Sequence, residues 1–189
     1  MLLDADAPSA DAPSDDPFFD PPEDPNILLA RFFGALAARD AERLATCYHP
    51  LATYSSPVFP DLRGALPAAM WRLALARATD LRIDWDVAFA DPRKAQVKWT
   101  GRWREGAAER RLAVASTLSI WDGRIVRHVD EFRFPAFAAQ TVGLSGRLLA
   151  WNGAWRRRLQ RRLRARLEEE ARAGALAAGE AAGWDNRAP

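Results

Sequence analysis

Between residues 81 and 134 the hydrophobic residues settle into a spacing of two. In "LRIDWDVAF", Leu81, Ile83, Trp85, Val87 and Phe89 alternate with Arg82, Asp84, Asp86 and Ala88. "AQVKWTGRW" repeats the pattern with Ala95, Val97, Trp99, Gly101 and Trp103 on one side. "RLAVASTLSIW" and "RIVRHVDEFRF" are two further runs, joined by Asp122-Gly123. A period of two is that of a strand with one buried face. Asp-Gly suits the left-handed backbone of a two-residue hairpin. The segment therefore predicts a long antiparallel meander, and a meander with one apolar face needs something to cover it.

The upstream chain supplies the cover. In "NILLARFFGALAARDAERLATCYHP", Ile27, Leu28, Phe32 and Leu36, then Leu44 and Tyr48, recur at helical spacing. Asn26 and Asp40 are the expected helix caps, and Pro50 the expected stop. "LATYSSPVF" reads as a short strand running into a turn. "ALPAAMWRLALARA" reads as a third helix with Pro67 in its first turn. Three helices followed by a meander define an α+β domain. A curved antiparallel sheet wrapped around those helices makes a cone, an α+β barrel with an internal pocket.

The two ends of the chain differ from this middle. Residues 1–25 hold eight acidic residues, no basic ones and six prolines. Such a segment buries too little apolar surface to offset chain entropy, so a disordered acidic tail is expected. The domain is expected over 26–145. Residues 146–172 predict an amphipathic helix: Leu148, Trp151, Trp155, Leu159, Leu163 and Leu167 form a narrow stripe, and 147–166 carry eight arginines and no acid. Residues 173–189 read as a flexible Gly/Ala-rich tail.

Composition removes several classes of function. The one cysteine, Cys47, lies on an apolar pattern and reads as a buried, inert thiol. With only His49 and His128 and no Cys/His cluster, no metal site is expected. No apolar run reaches the roughly 20 residues of a membrane span, and the N-terminus lacks the form of a secretory signal. A cytoplasmic location is the expectation. The basic residues are nearly all Arg, with Lys94 and Lys98 the only lysines, and no phosphate-binding or RNA-binding motif accompanies them. Nucleic acid is not an expected partner.

"LLARFFGALAARDAERLATCYHPLATYSSPVFPDLRG" resembles the opening of the nuclear transport factor 2-like superfamily. "DGRIVRHVDEFRFPAFAAQTVG", with H-x-D-x-F and a later Q-x-x-G, resembles the last strand and exit of its SnoaL-like members. The resemblance covers roughly residues 26–145. It implies the cone fold, a pocket for a small hydrophobic molecule and homodimers formed through the sheet. It also implies cofactor-independent acid/base chemistry of the isomerase or cyclase type. The ketosteroid isomerase pattern is not kept. Phe32 stands where that group has a Tyr, Ser56 where the general base precedes Pro-Val, and Ser116-Thr117 where a protonated Asp lies. Arg82, Asp84 and Asp86 imitate the charged trio of limonene epoxide hydrolases, but they fall on the polar side of their strand.

His128 and Asp130 are the candidate catalytic residues. Two apart on a strand, they share a face, and the parity places Val126, Phe132 and Phe134 beside them. An apolar wall raises a carboxyl pKa and a neighbouring His lowers it, so Asp130 is the expected acid/base and His128 its partner. In SnoaL-like cyclases a pocket Asp has this role, which the resemblance carries to Asp130. Tyr54, Ser56, Met70, Trp71, Trp99 and Trp103 are the expected pocket lining. A hydroxyl without an adjacent base is not a nucleophile, so Ser56 is expected to hydrogen-bond only. The rival function is a non-catalytic ligand-binding or accessory protein. Its arginine-rich helix (147–166) would dock on a membrane surface or an acidic partner.

Overall fold

The computed structural model describes residues 24–142, Leu149 and 151–184, without the side chains of 141–142 and 175–184. The expected tails lie mostly outside this range. Helix α1 (Pro25–Ala37) begins one residue before the expected boundary. Its cap is Asp24, not Asn26: the Asp24 carboxylate accepts from the Asn26 backbone N–H at 2.8 Å. Pro25 explains the shift, because it occupies the first helical turn, where its missing N–H costs nothing. Helix α1 buries Leu28, Leu29, Phe32, Phe33 and Leu36. After Arg39, which turns the chain with φ 58°, Asp40 caps α2 (Ala41–Thr46) through the Arg43 N–H at 2.9 Å.

The helical period does not continue to Tyr48. Helix α2 closes at Thr46, and Tyr48 opens strand β1 (Tyr48–Ser55). Pro50 therefore lies inside a strand instead of ending a helix. It sits where the β1 pairing is irregular, between Tyr48 and Thr53, where the ladder does not need its missing N–H. The spacing from Leu44 to Tyr48 imitates a helix, but a distant pairing decides the outcome: β1 runs parallel to β6, with Tyr54 opposite His128 and Ser55 opposite Val129.

The remaining elements are β2 (Leu62–Arg63), α3 (Leu66–Arg77), β3 (Thr79–Asp91), β4 (Lys94–Glu105), β5 (Ala108–Trp121), β6 (Arg124–Glu131), α4 (Phe134–Val142) and α5 (Gly153–Trp184). The architecture is α+β: one curved, unclosed sheet of six strands in the order β2-β1-β6-β5-β4-β3, with five helices among the described residues. The sheet is mixed and not wholly antiparallel. Strands β3 to β6 follow one another through hairpins and pair antiparallel, whereas β1 reaches β6 across most of the chain and pairs parallel. The Asp122-Gly123 turn has φ of 50° and 62°, the left-handed pair that a two-residue hairpin requires.

Helix α1 fills the concave side of the sheet, with Phe33 stacked on Trp85 at 4.9 Å. The opposite face is polar: Arg82, Asp84 and Asp86 are exposed there, and Asp84 pairs with Arg102. The imitation of an epoxide hydrolase trio is thus outside the cone. A β-bulge corrects one face assignment. Ser119 pairs with Arg127 but Ile120 pairs with Ile125, so Val126 is an extra residue. Ile125, not Val126, is fully buried on the side of His128 and Asp130.

Helix α5 is longer than expected and continues through the Gly/Ala-rich stretch to Trp184. Its stripe is already used. Leu167 is buried in the main core, while Trp155, Leu159 and Leu163 pack on a smaller cluster of Val58, Phe134 and Ala138. Arg156 and Gln160 donate to the Pro57 carbonyl at 2.9 and 3.2 Å, and Arg164 to that of Asp61 at 2.9 Å. The Arg156 guanidinium also lies 4.5 Å from the Phe134 ring centre.

Candidate functional site

The space between sheet and helices is a cavity of about 290 Å³. Met70 and Trp71 of α3 line it, with Trp99 and Trp103 of β4, Tyr54 and Ser56 at the end of β1, and Asp130 of β6. His128 is not on the wall. It lies behind Asp130, 1% exposed, with Phe32 edge-on to its ring at 5.5 Å.

Asp130 is the centre of a buried chain of hydrogen bonds. Its Oδ1 is 2.8 Å from His128 Nε2 and accepts from Ser116 Oγ at 2.5 Å. Its Oδ2 accepts from Tyr54 Oη at 2.8 Å. Trp99 Nε1–H donates to Ser116 Oγ at 2.8 Å. On the far side of the imidazole, His128 Nδ1 is 2.7 Å from Tyr48 Oη, which accepts from Trp71 Nε1–H at 2.9 Å. Donor counting assigns the histidine tautomer. Tyr48 has one hydroxyl hydrogen and already accepts from Trp71. The arrangement that leaves no donor without an acceptor has Tyr48 donating to Nδ1 and Nε2–H donating to Asp130.

The carboxylate thus takes three donors. Burial pushes its pKa up, but the adjacent His128 and the hydrogen bonds from His128, Ser116 and Tyr54 outweigh it and hold Asp130 below the usual carboxylate range. Burial pushes both phenols well above their ordinary value, most strongly supported at Tyr54 by the Asp130 charge, so Tyr48 and Tyr54 remain donors. A carboxylate has about four lone-pair positions. Oδ1 uses two and Oδ2 one, so Oδ2 keeps a position for a guest in the cavity.

Ser56 belongs to the turn. Its N–H donates to the Phe59 carbonyl at 2.7 Å, and its Oγ accepts from the Phe59 N–H at 3.1 Å. Two members of the hydrogen-bond chain, Tyr48 behind His128 and Ser116 beside Asp130, carried no strong signal in the sequence. Tyr48 was hidden by its helix-like spacing. Ser116 left a trace: it shares the parity of Val114, Leu118 and Ile120, a polar residue on an apolar face. The cavity is also lined by Arg77 and Glu105, which no local pattern singled out, and by Arg166, which the sequence showed only as one of the arginines of the amphipathic helix. Among the described residues, no group of three or more His, Cys, Asp or Glu side chains is placed to hold a metal ion.

The SnoaL-like domain family matches residues 29–128, and the chain belongs to that family. No curated protein matches the sequence significantly. Solved structures with a similar fold include AclR, a putative hydroxylase from Streptomyces galilaeus, at 14% identity and a TM-score of 0.56, covering 64% of this chain and 82% of that one. A putative polyketide cyclase from Xanthomonas campestris pv. campestris is 14% identical with a TM-score of 0.53, covering 61% and 95%. TerC, co-crystallised with polyporic acid, is 18% identical with a TM-score of 0.52, covering 61% and 97%. At these identities the likeness is one of fold.

Proposed function

We propose that the cone binds a small, largely apolar molecule and that Asp130 moves a proton on it. The observation that carries this reading is a buried, multiply bonded carboxylate with an open lone pair on the wall of an apolar cavity. A carboxylate held low in pKa is a weak base. By Brønsted logic it suits an already acidified hydrogen, such as a carbon between two carbonyls, and returns the proton readily. His128 fixes and orients the carboxylate, and Tyr48 and Trp71 fix His128. When Asp130 takes a proton, its hold on the Tyr54 hydroxyl weakens, and that O–H is free to donate to the oxygen on which charge develops. Apolar aromatic walls suit a flat guest, in keeping with the fold shared with a putative polyketide cyclase and with TerC, which was co-crystallised with polyporic acid.

The packing of α5 supports this reading over the rival role, docking through the arginine-rich helix. Of the stripe that would enter a lipid interface, Trp155, Leu159, Leu163 and Leu167 are seated on Val58, Phe134 and the main core, while Trp151 and the neighbouring Leu149 are exposed. No helix among the described residues is long and apolar enough to cross a membrane.

The test uses aromatic β-keto esters in D2O. Binding is read from tryptophan fluorescence, since three tryptophans line the cavity. Proton transfer is read as loss of the activated C–H signal in NMR. The wild type should speed exchange, and Asp130→Asn should slow it by about 10²–10⁴-fold. Exchange at the same rate in both proteins would end the acid/base reading and leave a binding module.

A further inference from the structure

We infer that the guest is an amphiphilic anion: a flat apolar body with one carboxylate, held head-outward by Arg77 and Arg166. This rests on the reading of the cone as a ligand pocket and specifies what fills it. The cavity has two polar ends of opposite character. The inner end is Asp130 with Tyr54, both buried. The outer end carries Arg77 closing α3, Glu105 closing β4 and Arg166 on α5, which line the cavity while Arg77 and Arg166 are exposed and Glu105 is half-buried. Glu105 is 3.6 Å from Arg110, which offsets its charge. Among the described residues, neither Arg77 nor Arg166 is paired with a carboxylate.

A wholly neutral apolar guest has no use for two cations at the entrance. An anion entering acid-first would meet the Asp130 carboxylate in a poorly screened interior, where like charges repel strongly. The same anion entering apolar end first leaves its carboxylate at the two guanidiniums, whose forked N–H groups match it. The charge pattern therefore selects one class of guest and one orientation, and it delivers the uncharged end of the guest to Asp130. One member of the rim is also an addition to the family-matched span. Arg166 lies on α5, outside the matched span 29–128, and α5 is fixed in place by Leu167 and by the Arg164 bond to Asp61.

Matched pairs test this: 2-naphthoate and decanoate against their methyl esters, titrated calorimetrically into the full-length protein. The acids should bind about tenfold or more tighter than the esters, the order that charge-assisted hydrogen bonds contribute. Added salt should weaken the acids and not the esters. Arg166→Gln and Arg77→Gln should each remove much of that advantage, with Arg166→Lys restoring part of it and melting curves unchanged. Esters that bind as tightly as acids, or Gln variants that bind the acids normally, would overturn the anionic-head assignment alone. If neither acids nor esters bind, the ligand-pocket reading falls with it.

Discussion

The hydroxyl of Tyr48 is the hinge of the polar network. It accepts from Trp71 and donates to His128, and all three side chains are buried. Tyr48→Phe keeps the ring and strands both partners. An unsatisfied buried polar group costs about 1–3 kcal/mol, so the unfolding free energy from urea titration should fall by a comparable amount, and proton exchange on a bound β-keto ester should slow although Tyr48 never meets the guest. A stability unchanged within error would show that Tyr48 has another partner. Asp130 makes a second residue-scale prediction. Its carboxyl is held lower in the fold than in the unfolded chain, so on acidification the unfolded state takes up its proton first. The stabilisation is whole above the unfolded value of about 4 and drains away as pH falls through the lower folded value. The unfolding free energy of Asp130→Asn should therefore depend less on pH than the wild type's below about pH 4, measured by urea titration at a series of pH values.

At the scale of elements, the seat of α5 governs access to the cone. Leu163 and Leu167 are shared between cavity and core. Leu167→Ala should cost about 2–4 kcal/mol if the helix melts with the domain. If it opens alone, the loss should appear as early proteolytic cleavage within 153–184. The elements also differ in how plainly the sequence announced them. Strands β3 to β6 were legible because alternation and the Asp-Gly turn are local signals. The β1–β6 pairing, the Val126 bulge and the end of α2 at Thr46 were not, because each is decided by a partner far away in sequence. The same division runs through the site. His128 and Asp130 could be placed together from their strand parity, whereas Ser116 left only a trace, a polar residue on an apolar face. Tyr48 and Arg166 depend on contacts that no window of the sequence contains.

For the whole molecule, a chain beginning at Asp24 keeps the first helix cap and every described contact. Its melting temperature should stay within a few degrees of the full-length value. A large loss would place the acidic segment within the folded unit. The outer sheet face offers small exposed residues, Ala113 and Ala115, between polar neighbours. Paired sheets are the expected assembly, so Ala115→Arg should shift sedimentation towards the monomer. A wild type that already sediments as a monomer would reject that assembly. Cys47, the single cysteine, has one more use. It is fully buried at the junction of α2 and β1, and its carbonyl accepts from Ile125 of β6 at 2.9 Å. A thiol reagent can reach it only when that junction opens, so the rate of labelling is a clock for opening. Any compound that prefers the closed cone must slow that clock by mass action. The protein therefore carries its own reporter for screening compound libraries, and that screen needs no measurement of turnover.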